Sequence, residues 1–272
     1  MLYGLLAHPA GHSKSPKMQN AMMQASDLPA HYEAFDVDPN QLAVAIAGLK
    51  ALGAGGFNVS TPFKAAVIPY LDQVSPLAQR LQAVNTVKIE AGRLIGTSTD
   101  GDGFWKSLPQ GQVKQRVVIL GTGGAARAVI ASAKEYGVTS LTVFNRRHTD
   151  WLQRQEALAK LNPQAQLMDI VDEKLLQEAL SQADLLINAT TVGMDGDDCL
   201  LTTTMLNYLP ASAYVVDMIY RNARTKLLQL AQARGLKTQN GLPMLVGQGA
   251  LSFEYWFNRP ADRKLMKKEI EE

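Results

Sequence analysis

Cysteine is almost missing from this chain. Cys199 is the only one in 272 residues, so no disulfide can form within the chain, and a bridge-stapled secreted scaffold is excluded. The lone thiol fits a reducing cytoplasm. An excess of one charge is missing as well: 27 Lys and Arg face 25 Asp and Glu, a net charge of +2. That balance provides no basic face for nucleic acid and no polybasic anchor for an anionic membrane. No apolar run reaches the roughly 18 residues of a membrane-spanning helix. The four histidines, His8, His12, His31 and His148, lack metal-ligand spacing. The carboxylates of MDGDDC, Met194 to Cys199, lack the EF-hand spacing. No metal site is expected, and no repeat or low-complexity tract stands out.

What is present reads as an α/β protein. The length predicts one to two domains, and 46% hydrophobic against 19% charged residues suits a chain that buries a real core. The first sixteen residues, MLYGLLAHPAGHSKSP, are apolar from Leu2 with no basic stretch ahead, which predicts a first strand over Leu2–Ala7 and not a secretion signal. Ser15 is the expected N-cap of a helix with Pro16 at its first position. HYEAFDV alternates as a strand, PNQLAVAIAGLKALG has helical spacing and stops at Gly53, and GGFNVS is another strand. Ala91-Gly92 separates two β-rich runs, a hairpin. A glycine-rich stretch, GDGFWKSLPQGQ, marks a domain boundary. A second series follows: strand RVVIL, a tight turn into a helix, strand LTVFN, two helices, strands DLLINAT and YVVDMIY, helix TKLLQLAQARG and a last amphipathic helix, LPMLVGQGALSFEYWF. Strands alternating with helices favour parallel sheets. Met18, Met22 and Met23 read as a core-facing helix side, and Trp105, Trp151 and Trp256 as packing residues.

VVILGTGGAAR fits a dinucleotide-binding turn, G-x-G-x-x-[GA], at Gly121, Gly123 and Ala126. The first glycine permits the turn, the second lets a pyrophosphate approach, and the alanine keeps helix and strand close. Exposed amides and the helix dipole favour the phosphate charge. The next strand ends in Asn145, Arg146, Arg147 and His148, where an NAD site commonly carries an acid for the ribose 2′-OH. Guanidinium forks suit a 2′-phosphate, so NADP(H) is the expected cofactor. Asp150, a little further on, could instead reach the ribose.

A hydride-transfer enzyme also needs a proton donor or acceptor. In NVSTPFK, Lys64 is the candidate, since an ordinary lysine, with a pKa of about 10.4, enters as an acid at neutral pH. Asp100, in STDGDG, is the candidate partner that holds it charged and aimed. Ser13, Ser15, Asn58, Ser60 and Asn85 lie at or near strand ends, where open α/β sheets bind ligands. Hydroxyls, amides and one carboxylate suit a small, hydroxylated, anionic substrate.

At this point the chain resembles a known family. SKSP, NVSTPFK, AVNTV, STDGDG, GTGGAAR, FNRR, INATTVGM, DMIY and GLPMLVGQGA occur in the order found in shikimate dehydrogenases. The resemblance covers nearly the whole sequence. It implies a two-domain α/β fold around a cleft, with a substrate domain from residues 1–101 plus 241–272 and a Rossmann-type NADP-binding domain from 102–240. It implies reduction of 3-dehydroshikimate to shikimate with NADPH, on the way to chorismate and the aromatic amino acids. Lys64 then matches the catalytic lysine and Asp100 its partner. Ser13 and Ser15 match the serines on the substrate carboxylate, and Ser60, Asn85, Tyr220 and Gln248 match pocket residues. Gly121, Thr122, Gly123, Gly124 and Ala125 match the pyrophosphate loop. Asn145 and Arg146, with Arg147, match the adenosine-phosphate motif, and Met218 and Gly241 match positions near the nicotinamide. Gln248 explains why the first domain takes back the C-terminal helix. A homodimer is kept open as the assembly.

Three positions depart from the family pattern: Ser60 for threonine, Ser98 for asparagine and Arg147 for threonine. SPKMQN, NRR and TKLLQLAQ also resemble the quinate/shikimate dehydrogenase branch, which accepts quinate and often NAD. A third alternative is a non-catalytic NADP-binding protein, which would not need Lys64 and Asp100 together.

Overall fold

The computed structural model describes residues 1–110 and 115–271. They form two compact units, Met1–Gly103 with Val246–Glu272, and Phe104–Leu245.

In the first unit, β1 (Leu2–Ala7) leads to α1 (Ser15–Ala25), β2 (His31–Asp36), α2 (Leu42–Ala51) and β3 (Gly56–Val59). β1 pairs in parallel with both β2 and β3. Gly53, at φ +67, supplies the left-handed residue after α2. α3 (Phe63–Ala66), β4 (Gln73–Val74) and α4 (Pro76–Leu81) precede a hairpin of β5 (Thr86–Glu90) and β6 (Arg93–Thr97). Ala91 and Gly92 have φ of 49 and 74, as the type I′ hairpin turn demands. The sheet order is β2-β1-β3-β5-β6-β4, with β5 antiparallel to both neighbours. Leu6, Phe57, Val59, Phe63, Val67 and Val87 share one buried cluster.

The chain passes through α5 (Asp100–Trp105) into the second unit. Its strands and helices are β7 (Arg116–Leu120), α6 (Gly124–Ser132), β8 (Ser140–Asn145), α7 (Trp151–Leu161), β9 (Ala165–Asp169), α8 (Glu173–Gln182), β10 (Leu185–Asn188), α9 (Thr203–Leu206), β11 (Tyr214–Asp217), α10 (Lys226–Ala233) and β12 (Lys237–Gln239). All six strands are parallel, in the order β12-β11-β10-β7-β8-β9. This is the doubly wound Rossmann order, and it reverses between β7 and β10, the switch point where such sheets take ligands. α11 (Leu242–Phe257) returns the chain to the first unit, and α12 (Arg263–Glu271) follows. Val246, Ala250, Phe253 and Trp256 make the buried face of α11.

Local departures from the sequence expectations have physical causes. Ser15 is the first residue of α1 and not its cap. Lys14 occupies the cap position without a side-chain capping bond, and Ser13 Oγ accepts the Ser15 N–H at 3.2 Å. The strand of NVSTPFK stops at Val59, because the Phe63 N–H donates to the Ser60 carbonyl at 2.8 Å and closes a turn. Lys64 consequently stands on the one-turn helix α3. β4, β9, β12 and α12 were not anticipated. β9 and β12 are short edge strands, and α12 buries only Met266 and Ile270.

Candidate active site

The tight turn from Ser60 to Phe63 drives the Phe63 ring into the core, 1% exposed, so the next side chain leaves by the other side. That side chain is Lys64. Its Nζ donates to Asp100 Oδ2 at 2.6 Å, with the lysine side chain 30% and the aspartate 11% exposed. A bond this short is charge-assisted. Asp100 opens α5, and its second oxygen, Oδ1, accepts from Asn85 Nδ2 at 2.8 Å. Asn85 is fixed in turn, because its Oδ1 accepts the Thr99 backbone N–H at 2.8 Å and the Thr86 hydroxyl at 3.0 Å.

Behind Asn85 lies a buried polar layer. Asn58 Nδ2 donates to the Asn85 carbonyl at 3.0 Å and shares its other hydrogen between Thr86 Oγ1 at 3.1 Å and Ser252 Oγ at 3.0 Å. Its Oδ1 accepts the Tyr32 hydroxyl at 2.8 Å. The Asn58 amide is thus spent inside the protein. Burial pushes the Tyr32 phenol far above its ordinary value, so it acts as a donor only in its neutral form. Gln248 joins from α11: Asn85 Nδ2 approaches its Oε1 at 3.5 Å and the Thr99 hydroxyl donates to its carbonyl at 3.0 Å. This approach needs glycine, since a Cβ on Gly103 would meet the Gln248 N at 2.5 Å. Ser13 is half-buried and Ser15 buried at the start of α1, and Ser60 is half-buried at the end of β3. Thr86 and Thr99 lie inside motifs that the sequence displays, whereas Tyr32 and Ser252 carry no local signal.

In the second unit the glycine turn follows β7 at the switch point. Gly121 has φ +103, and a Cβ there would lie 2.8 Å from Thr190 Cγ2. Gly123 and Gly124 have nothing within 4 Å of a built Cβ, and Gly123 caps α6 with no side chain on its amides. Bare amides at a helix start with open space before them fit a pyrophosphate. Ala126 is fully buried against the sheet. Thr122 Oγ1 accepts from Asn145 Nδ2 at 3.1 Å and from Arg154 Nη1 at 2.9 Å. Arg154 also pairs with Asp150 at 2.8 Å, a hydrogen bond that holds the Asp150 carboxyl below its ordinary range. Arg146 is exposed, while the Arg147 guanidinium lies 5.6 Å from the Trp151 ring centroid. The Met218 N–H donates to the Asn188 carbonyl at 2.9 Å, and a Cβ on Gly241 would collide with the Met218 carbonyl. Tyr220 follows, half-buried. Among the described residues no group of three or more His, Cys, Asp or Glu is placed to hold a metal, and no helix is long and apolar enough to cross a membrane.

Residues 5–87 match the profile of the shikimate dehydrogenase substrate binding domain, and residues 241–271 that of the shikimate 5′-dehydrogenase C-terminal domain. Residues 88–222 match the C-terminal domain of alanine dehydrogenase/PNT. The NADP(+) shikimate dehydrogenase of Symbiobacterium thermophilum is 44% identical over 98% of this chain and 92% of its own length. The chain belongs to the shikimate dehydrogenase family. Solved members superimpose closely. The shikimate 5-dehydrogenase of Listeria monocytogenes, in complex with shikimate and NAD, gives a TM-score of 0.91 at 35% identity, covering 99% of this chain and 96% of that one. The enzyme of Thermus thermophilus, in complex with NADP(H) and shikimate, gives 0.87 at 36% identity, covering 100% and 98%.

The three departures from the shikimate dehydrogenase pattern occupy different settings. Ser60 is half-buried at the strand end that precedes Lys64, Ser98 is buried two residues before Asp100, and Arg147 is exposed beside Trp151.

Proposed function

We propose that this chain catalyses the reversible, NADPH-dependent reduction of 3-dehydroshikimate to shikimate, a step toward chorismate and the aromatic amino acids. The observation that carries the reading is the Lys64–Asp100 pair at 2.6 Å, with Asn85 on the second carboxylate oxygen. NADPH, when bound, supplies the hydride. Lys64 gives a proton to the oxygen of the ketone being reduced, and takes it back in the oxidation of shikimate. Asp100 aims the ammonium. Ser13 and Ser15, at the N-terminal end of α1, donate to the substrate carboxylate, a position that the helix dipole also favours. Ser60, Asn85, Tyr220 and Gln248 take the ring hydroxyls. Asn58 supports that layer from behind.

In the second unit, Gly121, Thr122, Gly123, Gly124 and Ala125 hold the pyrophosphate, and Asn145, Arg146 and Arg147 the adenosine phosphate. Met218 and Gly241 border the nicotinamide. A protein that only bound NADP would gain nothing from a lysine paired to a carboxylate. The single cysteine suits a reducing compartment, and we propose that the reaction runs in the cytoplasm. Steady-state rates with shikimate and with quinate, each with NADP and NAD and followed by cofactor absorbance, test the reading. Shikimate with NADP is the expected best pair. No turnover with any pair, or quinate with NAD as the best, overturns it.

A further inference from the structure

We infer that Tyr32 is a positioning residue for this reaction: its hydroxyl locks the Asn58 amide, and through it the Asn85 amide that orients Asp100 against Lys64. The inference rests on the reading of Lys64 and Asp100 as the proton-transfer pair.

The orientation of each amide in the chain follows from chemistry. The Asn85 backbone carbonyl only accepts, so the Asn58 group 3.0 Å away is its NH₂. Asn58 Oδ1 therefore faces Tyr32, and the tyrosine donates at 2.8 Å. Thr86 Oγ1 receives the Asn58 amide at 3.1 Å and has one proton to share between Asn85 Oδ1 at 3.0 Å and Ser252 Oγ at 2.8 Å, while Asn85 Oδ1 also accepts the Thr99 backbone N–H at 2.8 Å. With Oδ1 committed, Asn85 turns its NH₂ to Asp100 Oδ1 at 2.8 Å, and Lys64 holds Asp100 Oδ2 at 2.6 Å. The chain begins at a phenol proton and ends at a carboxylate.

Tyr32 is built to stay in place. Its backbone N–H donates to Asn20 Oδ1, and its carbonyl accepts from Asn20 Nδ2, both at 2.8 Å. Its ring is fully buried, with its centroid 6.0 Å from that of Trp256. Removing the phenol oxygen leaves Asn58 Oδ1 buried without that donor, which frees the amide to shift. The displaced group is four links from Lys64 along this chain, so the loss falls on alignment of the reacting groups. Tyr32 also lies near the Ser15 hydroxyl, which offers a competing route through substrate binding. The two routes separate kinetically.

The test compares the whole protein with Tyr32→Phe and with Tyr3→Phe. Tyr3 is the matched control: it is buried, its ring centroid is 5.0 Å from that of the same Trp256, and among the described residues its hydroxyl hydrogen-bonds only to Met1 Sδ, at 3.5 Å. With shikimate and NADP, Tyr32→Phe should lower kcat about tenfold or more with KM within about threefold, and Tyr3→Phe should keep kcat within about twofold. An unchanged kcat in Tyr32→Phe overturns the inference. So does a raised KM alone, which would place the effect on Ser15, and so does an equal kcat loss in both variants, which would mean general loosening around Trp256. If Tyr32→Phe melts below the assay temperature, Thr86→Val interrupts the same chain one link closer to Asp100, and a wild-type kcat there overturns it. A wild-type protein inactive on shikimate sinks the proposed reaction itself, and the inference with it, before any variant is compared.

Discussion

Lys64 and Asp100, 36 positions apart in sequence, meet at 2.6 Å. Asn85 holds the other carboxylate oxygen at 2.8 Å, so Asp100 cannot swing off Lys64 without breaking a second bond. If this pair moves the proton, Lys64→Ala should cut kcat by about 10²- to 10⁴-fold, the usual weight of general acid–base catalysis, with a much smaller change in shikimate binding. Stopped-flow single turnovers alongside steady-state rates check this. A kcat close to wild type with a raised KM would reassign Lys64 to substrate binding.

Cofactor preference should divide the two adjacent arginines. Arg147 is drawn onto the Trp151 ring, whereas Arg146 has no such ring contact among the described residues. A charge-assisted hydrogen bond to the 2′-phosphate corresponds to about 10- to 150-fold in affinity, with solvent exposure favouring the lower end. Arg146→Ala should weaken NADP by roughly tenfold and leave NAD nearly unchanged, and Arg147→Ala should do less. Calorimetric titration of both variants with both cofactors reads this directly. Equal losses for NADP and NAD would place Arg146 away from the 2′-phosphate.

The fold was legible where local chemistry is strong. Gly121 needs φ +103 beside Thr190, and Ala91-Gly92 needs a doubly left-handed turn, so glycine spacing marked both the cofactor turn and the hairpin. Lys64 and Asp100 were legible as chemistry, because each stands in a polar stretch at the end of an apolar run. The buried layer was not. Tyr32 lies in an alternating strand where an inward tyrosine reads as plain core, and Ser252 lies among the apolar residues of α11. Their roles come from Asn58 and Thr86, far away in sequence. Ser15 misled for a local reason. A serine before proline looks like a cap, but the helix already includes Ser15 and Lys14 stands at the cap position. β9 and β12 are too short to show a period, and tertiary pairing with β8 and β11 creates them.

Asp217 makes a pH prediction. It is fully buried at the end of β11, where its Oδ2 accepts the Thr225 hydroxyl at 2.7 Å and its Oδ1 accepts from Asn188 Nδ2 and the Ile219 N–H, each at 3.1 Å. Burial pushes its carboxyl above the ordinary 3.8, and these hydrogen bonds only partly oppose the shift. The folded form therefore holds the proton more tightly than the unfolded chain. The resulting stabilisation is complete below about 3.8 and disappears as pH rises through the raised value. Asp217→Asn removes the titration. Its Tm minus that of wild type should be constant at low pH, move in the variant's favour as pH climbs through the raised value, and then level. A difference that stays flat across the whole range would show that burying this carboxylate costs nothing.

Substrate choice should depend on Ser60. Quinate differs from shikimate by a saturated ring carbon that bears an extra hydroxyl beside the carboxylate. The carboxylate end lies toward Ser13 and Ser15 in the proposed pose, so the added bulk must fit there. Serine in place of the family's threonine leaves a methyl's worth of room and keeps a hydroxyl donor. One methylene shifts discrimination by about 1–3 kcal/mol, enough to admit quinate as a poor substrate but not to make it preferred. Wild-type protein should oxidise quinate measurably and far more slowly than shikimate. Ser60→Thr should lower that activity further while largely keeping shikimate oxidation, because the hydroxyl remains. The measurement is the ratio of kcat/KM for the two substrates in each protein. A ratio that the threonine leaves unchanged would mean that the choice is made elsewhere, with Ser98 and the residues around Ser13 next in line.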